Sequence, residues 1–131
     1  VIIDYEIYVF TLSLTEQLLN RFNIKFTTVN ATNILEIKNA IQSNTKLIYV
    51  ETPSNPLFKI TDIRAVARIA KQNNLLLAVD NTFMTPLGQS PLALGADIVV
   101  HSATKFLGGH SDLIAGAAIT NRKDIADALY L

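Results

Sequence analysis

LLLAVD at residues 75–80 and DIVVH at residues 97–101 decide the fold of this chain. Each is a nearly unbroken apolar run of strand length, rich in Leu, Val and Ile, the pattern of a strand buried on both faces of a parallel sheet. Upstream, KLIYVE at residues 46–51 is a third such run, and residues 1–3 and 24–29 read as two more. Downstream, residues 113–120 are expected to add a further strand of the same kind. Helical spacing fills the gaps. Leu14, Leu18 and Leu19 recur near one face between about residues 11 and 22, and Asn33 with Glu36 resembles a capping box opening a helix that carries Ile34, Ile37 and Ile41. Ile63, Val66, Ala67 and Ala70 stand at i, i+3, i+4 and i+7. Strands alternating with helices predict an α/β fold, a mostly parallel sheet with flanking helices and right-handed crossovers.

Composition narrows the function. Eleven Lys and Arg balance eleven Asp and Glu, and the cations are scattered, so no basic stripe for nucleic acid or polybasic membrane patch is present. Acidic residues interrupt every apolar stretch well short of the roughly 20 residues that span a bilayer. The absence of cysteine removes disulfides, thiolate metal sites and Cys nucleophiles, and fits a reducing, cytoplasmic setting. Half the residues are hydrophobic and mean hydropathy is +0.31, high for a free-standing domain of 131 residues. Together with a start at Val1, this leads us to expect a piece truncated at both ends, with apolar surface meant for burial elsewhere.

In open parallel sheets, ligands bind beyond the carboxyl ends of the strands. The polar residues there are Tyr8, Asn55, Asp80, Ser102, Thr104 and Lys105. A carboxylate closing an apolar strand, as Asp80 does, calls for a cationic partner or hydrogen bonds. Lys105 sits between HSAT and FLGGH, a single amine among small and hydroxyl residues. A lysine in a dry site becomes a nucleophile toward carbonyls and forms a Schiff base. Ser102 and Thr104 offer hydroxyls to a phosphate, with Gly108 and Gly109 shaping the turn beyond. His101, His110 and Asp112 are too few for a closed zinc site, so no metal is expected. Arg64 and Arg68 read as the solvated face of their helix. Neither GxGxxG nor GxxxxGK[ST] occurs.

Three motifs in order, ETPSNP (51–56), VDNTF (79–83) and HSATKFLGGHSD (101–112), resemble the pyridoxal-phosphate enzymes of cysteine and methionine metabolism, which include cystathionine β-lyase, γ-lyase and γ-synthase. Weaker likeness runs back through NRFNIKFTTVNAT to Val1. The resemblance implies part of the large cofactor-binding domain of the fold-type I enzymes, and pyridoxal 5'-phosphate as cofactor. It implies Lys105 as the Schiff-base lysine and Asp80 as partner of the protonated pyridine nitrogen. Ser102 and Thr104 fall at the cofactor phosphate, Asn55 near the ring oxygen, and Tyr8 stacked on the ring and assisting proton handling. The family follows that tyrosine with glycines, where this chain has Val9 and Phe10. The family's upstream Gly-Met phosphate loop, its upstream Tyr and Arg from a neighbouring subunit and its downstream substrate-carboxylate Arg are not in these residues.

The implied activity is carbon–sulfur lyase chemistry on an amino acid, foremost β-elimination from cystathionine to homocysteine, ammonia and pyruvate, in a homo-oligomer, a tetramer in the intact family. The alternatives are γ-replacement or γ-elimination, or a catalytically inert fragment of such an enzyme. A receiver-like signalling domain, which also carries a strand-end Asp, a hydroxyl residue and a Lys, expects an acidic pair after the first strand and proline after the lysine. Asp4 and Glu6 are separated and Phe106 follows Lys105.

Overall fold

The computed structural model describes residues 1–130 as a six-stranded sheet with helices. The strands are β1 (Ile2–Asp4), β2 (Thr27–Val29), β3 (Leu47–Glu51), β4 (Leu76–Asp80), β5 (Ile98–Ser102) and β6 (Gly116–Ile119), in the order β2-β1-β3-β4-β5-β6. β1 to β5 are parallel, so the predicted α/β class and mostly parallel sheet are what the chain adopts. The core lies beneath β1, β3 and β4, where Ile37, Ile48, Val66, Leu77 and Val79 are fully enclosed. The order reverses at β1, which feeds β2 on one side while the return strand β3 docks on the other. That switch opens a crevice at the carboxyl ends.

The best-read helix is α3 (Ile63–Gln72). Its apolar stripe is buried at Ile63, Val66, Ala67, Ile69 and Ala70, and the Asp62 side chain caps it by accepting from Ala65 N at 3.0 Å. α2 (Ile34–Asn39) starts at Asn33, whose side chain accepts from Leu35 N at 3.1 Å. Glu36 does not close the expected reciprocal box. It reaches one turn further back and accepts from Asn30 N at 2.9 Å, because Asn33 N is already donated to Asn30 O.

Three expectations need correction. The first helical stretch begins at Val9 and is not one amphipathic helix. α1 (Val9–Ser13) widens into a π-helical segment (Leu14–Leu18) and tightens into a 3-10 turn (Leu19–Phe22), and Leu14 and Leu18 stay exposed. Thr15 turns its hydroxyl back onto Leu12 O at 2.6 Å, a side-chain bond that competes with the helical ladder. The strand expected from residue 24 starts at Thr27, since Asn23 ends the helical stretch in a left-handed conformation (φ 59°) and pairing with Val1 begins at Thr27 N. The last strand is not a buried parallel one. β6 pairs antiparallel with β5 and is largely exposed. Residues 103–115 contain no crossover helix to carry the chain back for parallel pairing, so the strand returns in the opposite sense.

Two short elements in the second half, α4 (Thr85–Gly88) and a 3-10 turn (Pro91–Leu94), connect β4 to β5, and α5 (Lys123–Leu129) follows β6. Among the described residues no helix is long and apolar enough to cross a membrane.

Candidate active site

The carboxyl ends of the parallel strands surround a cavity of about 870 Å³. Tyr8 arrives from the turn after β1, Asn55 from the turn after β3, Asp80 from the end of β4, and Ser102, Thr104 and Lys105 from β5 and its loop. All six residues singled out in the sequence line this one space, although 97 positions separate the first from the last in the chain.

Asp80 is half-buried and held on both oxygens. Oδ1 accepts from Thr82 N at 3.0 Å and from Thr82 Oγ1 at 2.6 Å, and Oδ2 accepts from Tyr49 Oη at 3.3 Å. Burial beside Asp80 pushes the Tyr49 phenol above its ordinary value, so it remains a donor. Thr82 Oγ1 also accepts from Ser102 N at 2.8 Å, tying β4 to β5 directly under the cavity. The cationic partner expected for Asp80 is not present among the described residues. An oriented carboxylate facing a cavity fits a cationic group of a bound molecule.

Beside Asp80 in register stands Glu51, which the sequence reading passed over. It is buried, and its Oε2 accepts from Tyr8 N at 2.7 Å. Burial pushes its carboxyl up to about 7, against the Tyr8 N–H, with the charges of Asp80 and Asp4 adding to the rise. Asp4, at the end of β1, is likewise raised by burial and accepts from Glu6 N and Ala31 N. The turn carrying Tyr8 is fixed further by Glu6, paired with Lys59, whose ammonium also meets Tyr5 Oη at 3.1 Å.

The opposite wall is open. Lys105 is exposed, contrary to the dry setting expected for it, because its loop lies at the surface and no described element covers it. The Thr104 hydroxyl, expected to face a phosphate, is bonded to Ala115 instead, accepting from N at 2.9 Å and donating to O at 3.1 Å. Gly108 lets that loop fold tightly, since a Cβ there would come within 2.8 Å of Ala103 O, and Gly109 has φ +76°. Tyr8 lines the cavity, and the Phe10 ring tilts against the Tyr8 ring at a centroid distance of 5.4 Å.

His101 alternates with Ser102 on β5 and so points to the other side of the sheet, into a small apolar cleft with Asn81, Val99 and Ile119. His110 sits on the exposed loop with Nδ1 3.1 Å from Gly108 O. Among the described residues no three His, Asp or Glu side chains come together as a metal site.

A parallel α/β sheet with a free amine, an oriented carboxylate and an aromatic ring gathered at its switch point defines a small-molecule site of the kind that suits a ring-shaped cofactor bearing a carbonyl and a cationic nitrogen. Comparison with known proteins agrees. The sequence profile described as Cys/Met metabolism PLP-dependent enzyme matches residues 1–131, and the chain belongs to that family. It is 81% identical over 131 residues to the cystathionine β-lyase MetC of Staphylococcus haemolyticus, covering all of this chain and 34% of that protein. It is 49% identical over 130 residues to a cystathionine γ-lyase of Bacillus subtilis, again over 34% of the relative. Among solved structures, cystathionine γ-lyase from Lactobacillus plantarum complexed with L-serine superposes with a TM-score of 0.95 at 44% identity, over 96% of this chain and 33% of that one. The chain thus spans about a third of the length of these relatives.

Proposed function

We propose that the whole protein containing this chain is a pyridoxal-phosphate-dependent carbon–sulfur lyase whose principal reaction is β-elimination from cystathionine, yielding homocysteine, ammonia and pyruvate. The convergence of Tyr8, Asn55, Asp80, Ser102, Thr104 and Lys105 on one cavity carries the reading. The 81% identity to a cystathionine β-lyase favours β-elimination, and the 49% identity to a γ-lyase keeps γ-elimination as the second reading. On this view the chain is the central part of a cofactor-binding domain, the protein works in the cytoplasm, and its copies assemble.

The residues present fit the cofactor, since they offer an amine for an aldehyde, a carboxylate for a ring nitrogen, hydroxyls for a phosphate and an aromatic face for a ring. When bound, pyridoxal phosphate supplies an electron sink that lets an amino acid lose its Cα proton and then its sulfur leaving group. Lys105 would hold the cofactor through its amine, and the same amine, once free, would serve as the base that takes the proton from the substrate's Cα. Asp80, fixed by Thr82 and Tyr49, would keep a proton on the ring nitrogen. Tyr8 would cover the ring face, Asn55 donate to the ring oxygen, and Ser102 donate its hydroxyl to the phosphate. Thr104, whose hydroxyl donates to Ala115 O, would have to share that hydrogen to serve the phosphate as well.

Borohydride reduction of the cofactor-loaded whole protein, followed by peptide mapping, tests the assignment. The label is expected on Lys105 and is lost, together with turnover, in Lys105→Ala. A label elsewhere, or unchanged labelling of the variant, overturns it.

A further inference from the structure

We propose that Glu51 is the positioning residue for Tyr8, its buried carboxylate anchoring the Tyr8 main chain across the crevice between β1 and β3 and thereby holding the ring at the cavity.

Tyr8 is the residue on which α1 starts, and its side chain supplies no cap to that helix. It lies four residues beyond β1, outside any strand ladder, so nothing in the sheet fixes it. The Glu51 carboxylate does, through the 2.7 Å bond from Tyr8 N. The link crosses the switch point of the sheet, where the two strands are neighbours but their following turns diverge. A carboxylate accepting a main-chain N–H makes a bond roughly twice as strong as a neutral acceptor does, and burial keeps water from competing for it. Glu51 is 4% exposed, and among the described residues it pairs with no cation and the Tyr8 N–H is the one donor its carboxylate meets.

The hold depends on protonation. Asp4 faces Glu51 from β1 and Asp80 from β4, Tyr49 lies two residues back on β3, and Lys105 stands across the cavity. Burial, with a smaller contribution from the two carboxylates, raises the Glu51 carboxyl to about 7. Above that, the ionised group grips Tyr8 N–H more tightly; below it, a neutral carboxyl accepts more weakly. Glu51 therefore acts through Tyr8 and touches no reacting atom. The role assigned to Tyr8 rests on the proposed function, whereas the anchor itself does not.

The test uses the cofactor-free whole protein with isotope-labelled tyrosine, the Tyr8 amide signal being assigned by its loss in Tyr8→Phe. Its proton is expected to shift downfield with rising pH, with a midpoint near about 7, and to be flat in Glu51→Gln, which retains a neutral acceptor. In the loaded protein Glu51→Leu, which retains no acceptor, is expected to weaken cofactor binding about tenfold, the usual loss for one buried hydrogen bond, while Glu51→Gln stays within about threefold. A Tyr8 signal that does not titrate in the folded protein, or one that titrates unchanged in Glu51→Gln, overturns the proposal, and neither result depends on the leucine variant folding. Should Lys105 fail to take the borohydride label while the Tyr8 signal titrates as expected, the anchor stands and the proposed function falls.

Discussion

The floor of the cavity and its loop wall are built by different means. The floor is made of Glu51 and Asp80, side by side in register on β3 and β4, each held by donors within the sheet or its first turns. The wall is the loop from Ala103 to Ala115, exposed along most of its length and carrying Lys105, Phe106 and Ile114 into solvent. The floor's carboxylates are already hydrogen-bonded within the protein. The wall carries Lys105, the lysine proposed to hold the cofactor, and among the described residues nothing covers it. A site assembled this way keeps its electrostatics rigid and leaves access to be set by whatever closes over the loop.

Truncation on each side separates the two most sharply. Leu77 is fully enclosed beneath the floor on β4, and Leu77→Ala is expected to cost about 2 to 5 kcal/mol through lost burial and a residual cavity. Phe106, 61% exposed on the wall, is expected to cost less than about 0.5 kcal/mol as Phe106→Ala. Urea midpoints of the cofactor-free whole protein at one fixed concentration measure both. Equal losses would show that the wall is packed in the whole protein and erase the distinction.

Glu51 gives the floor a pH signature. Its folded value of about 7 lies above the ordinary 4.5, so the native state binds the proton more tightly than the unfolded chain does. Its stabilising contribution is full below about pH 4.5 and is lost as pH rises through about 7. Glu51→Gln removes the cost of ionising a buried group, and above pH 7 the variant is expected to exceed the wild type by on the order of 2 kcal/mol, with the gap closing toward about pH 4.5. Urea titrations at several pH values read this directly, and a gap independent of pH would place the titrating proton elsewhere.

The same contrast explains what the sequence disclosed. The parallel core was legible because strands buried on both faces are apolar at every position, as in LLLAVD, and because α3 repeats its apolar residues at helical spacing. The direction of β6 was not legible, since an apolar run carries no mark of strand direction, and direction follows from the loop that precedes it. Leu14 and Leu18 mark helical spacing but not what would bury them, and among the described residues nothing does. The polar residues of the cavity were legible because parallel sheets place their ligands at strand ends, and Glu51, which closes KLIYVE as Asp80 closes LLLAVD, answers to the same rule. Thr82 lies inside a quoted motif, but its double hydrogen bond depends on β4 and β5 being neighbours, which appears only in the fold.

Hydroxyl removal offers the finest comparison. Thr82→Val takes the acceptor from Ser102 N and one donor from Asp80 in the partly buried floor, and a stranded N–H there is expected to cost about 1 to 2 kcal/mol. Thr104→Val takes two bonds from Ala115, but these groups are solvent-accessible, so water replaces most of what is lost and about 0.5 kcal/mol is expected. Amide exchange separates the cases beyond the totals. Thr82→Val should speed exchange at Ser102 within the sheet, whereas Thr104→Val should release Ala115 and its loop while leaving Ser102 protected. If Thr104→Val also deprotects Ser102, the loop is part of the same cooperative unit as the floor, and the Lys105 amine is held as rigidly as the carboxylates opposite it.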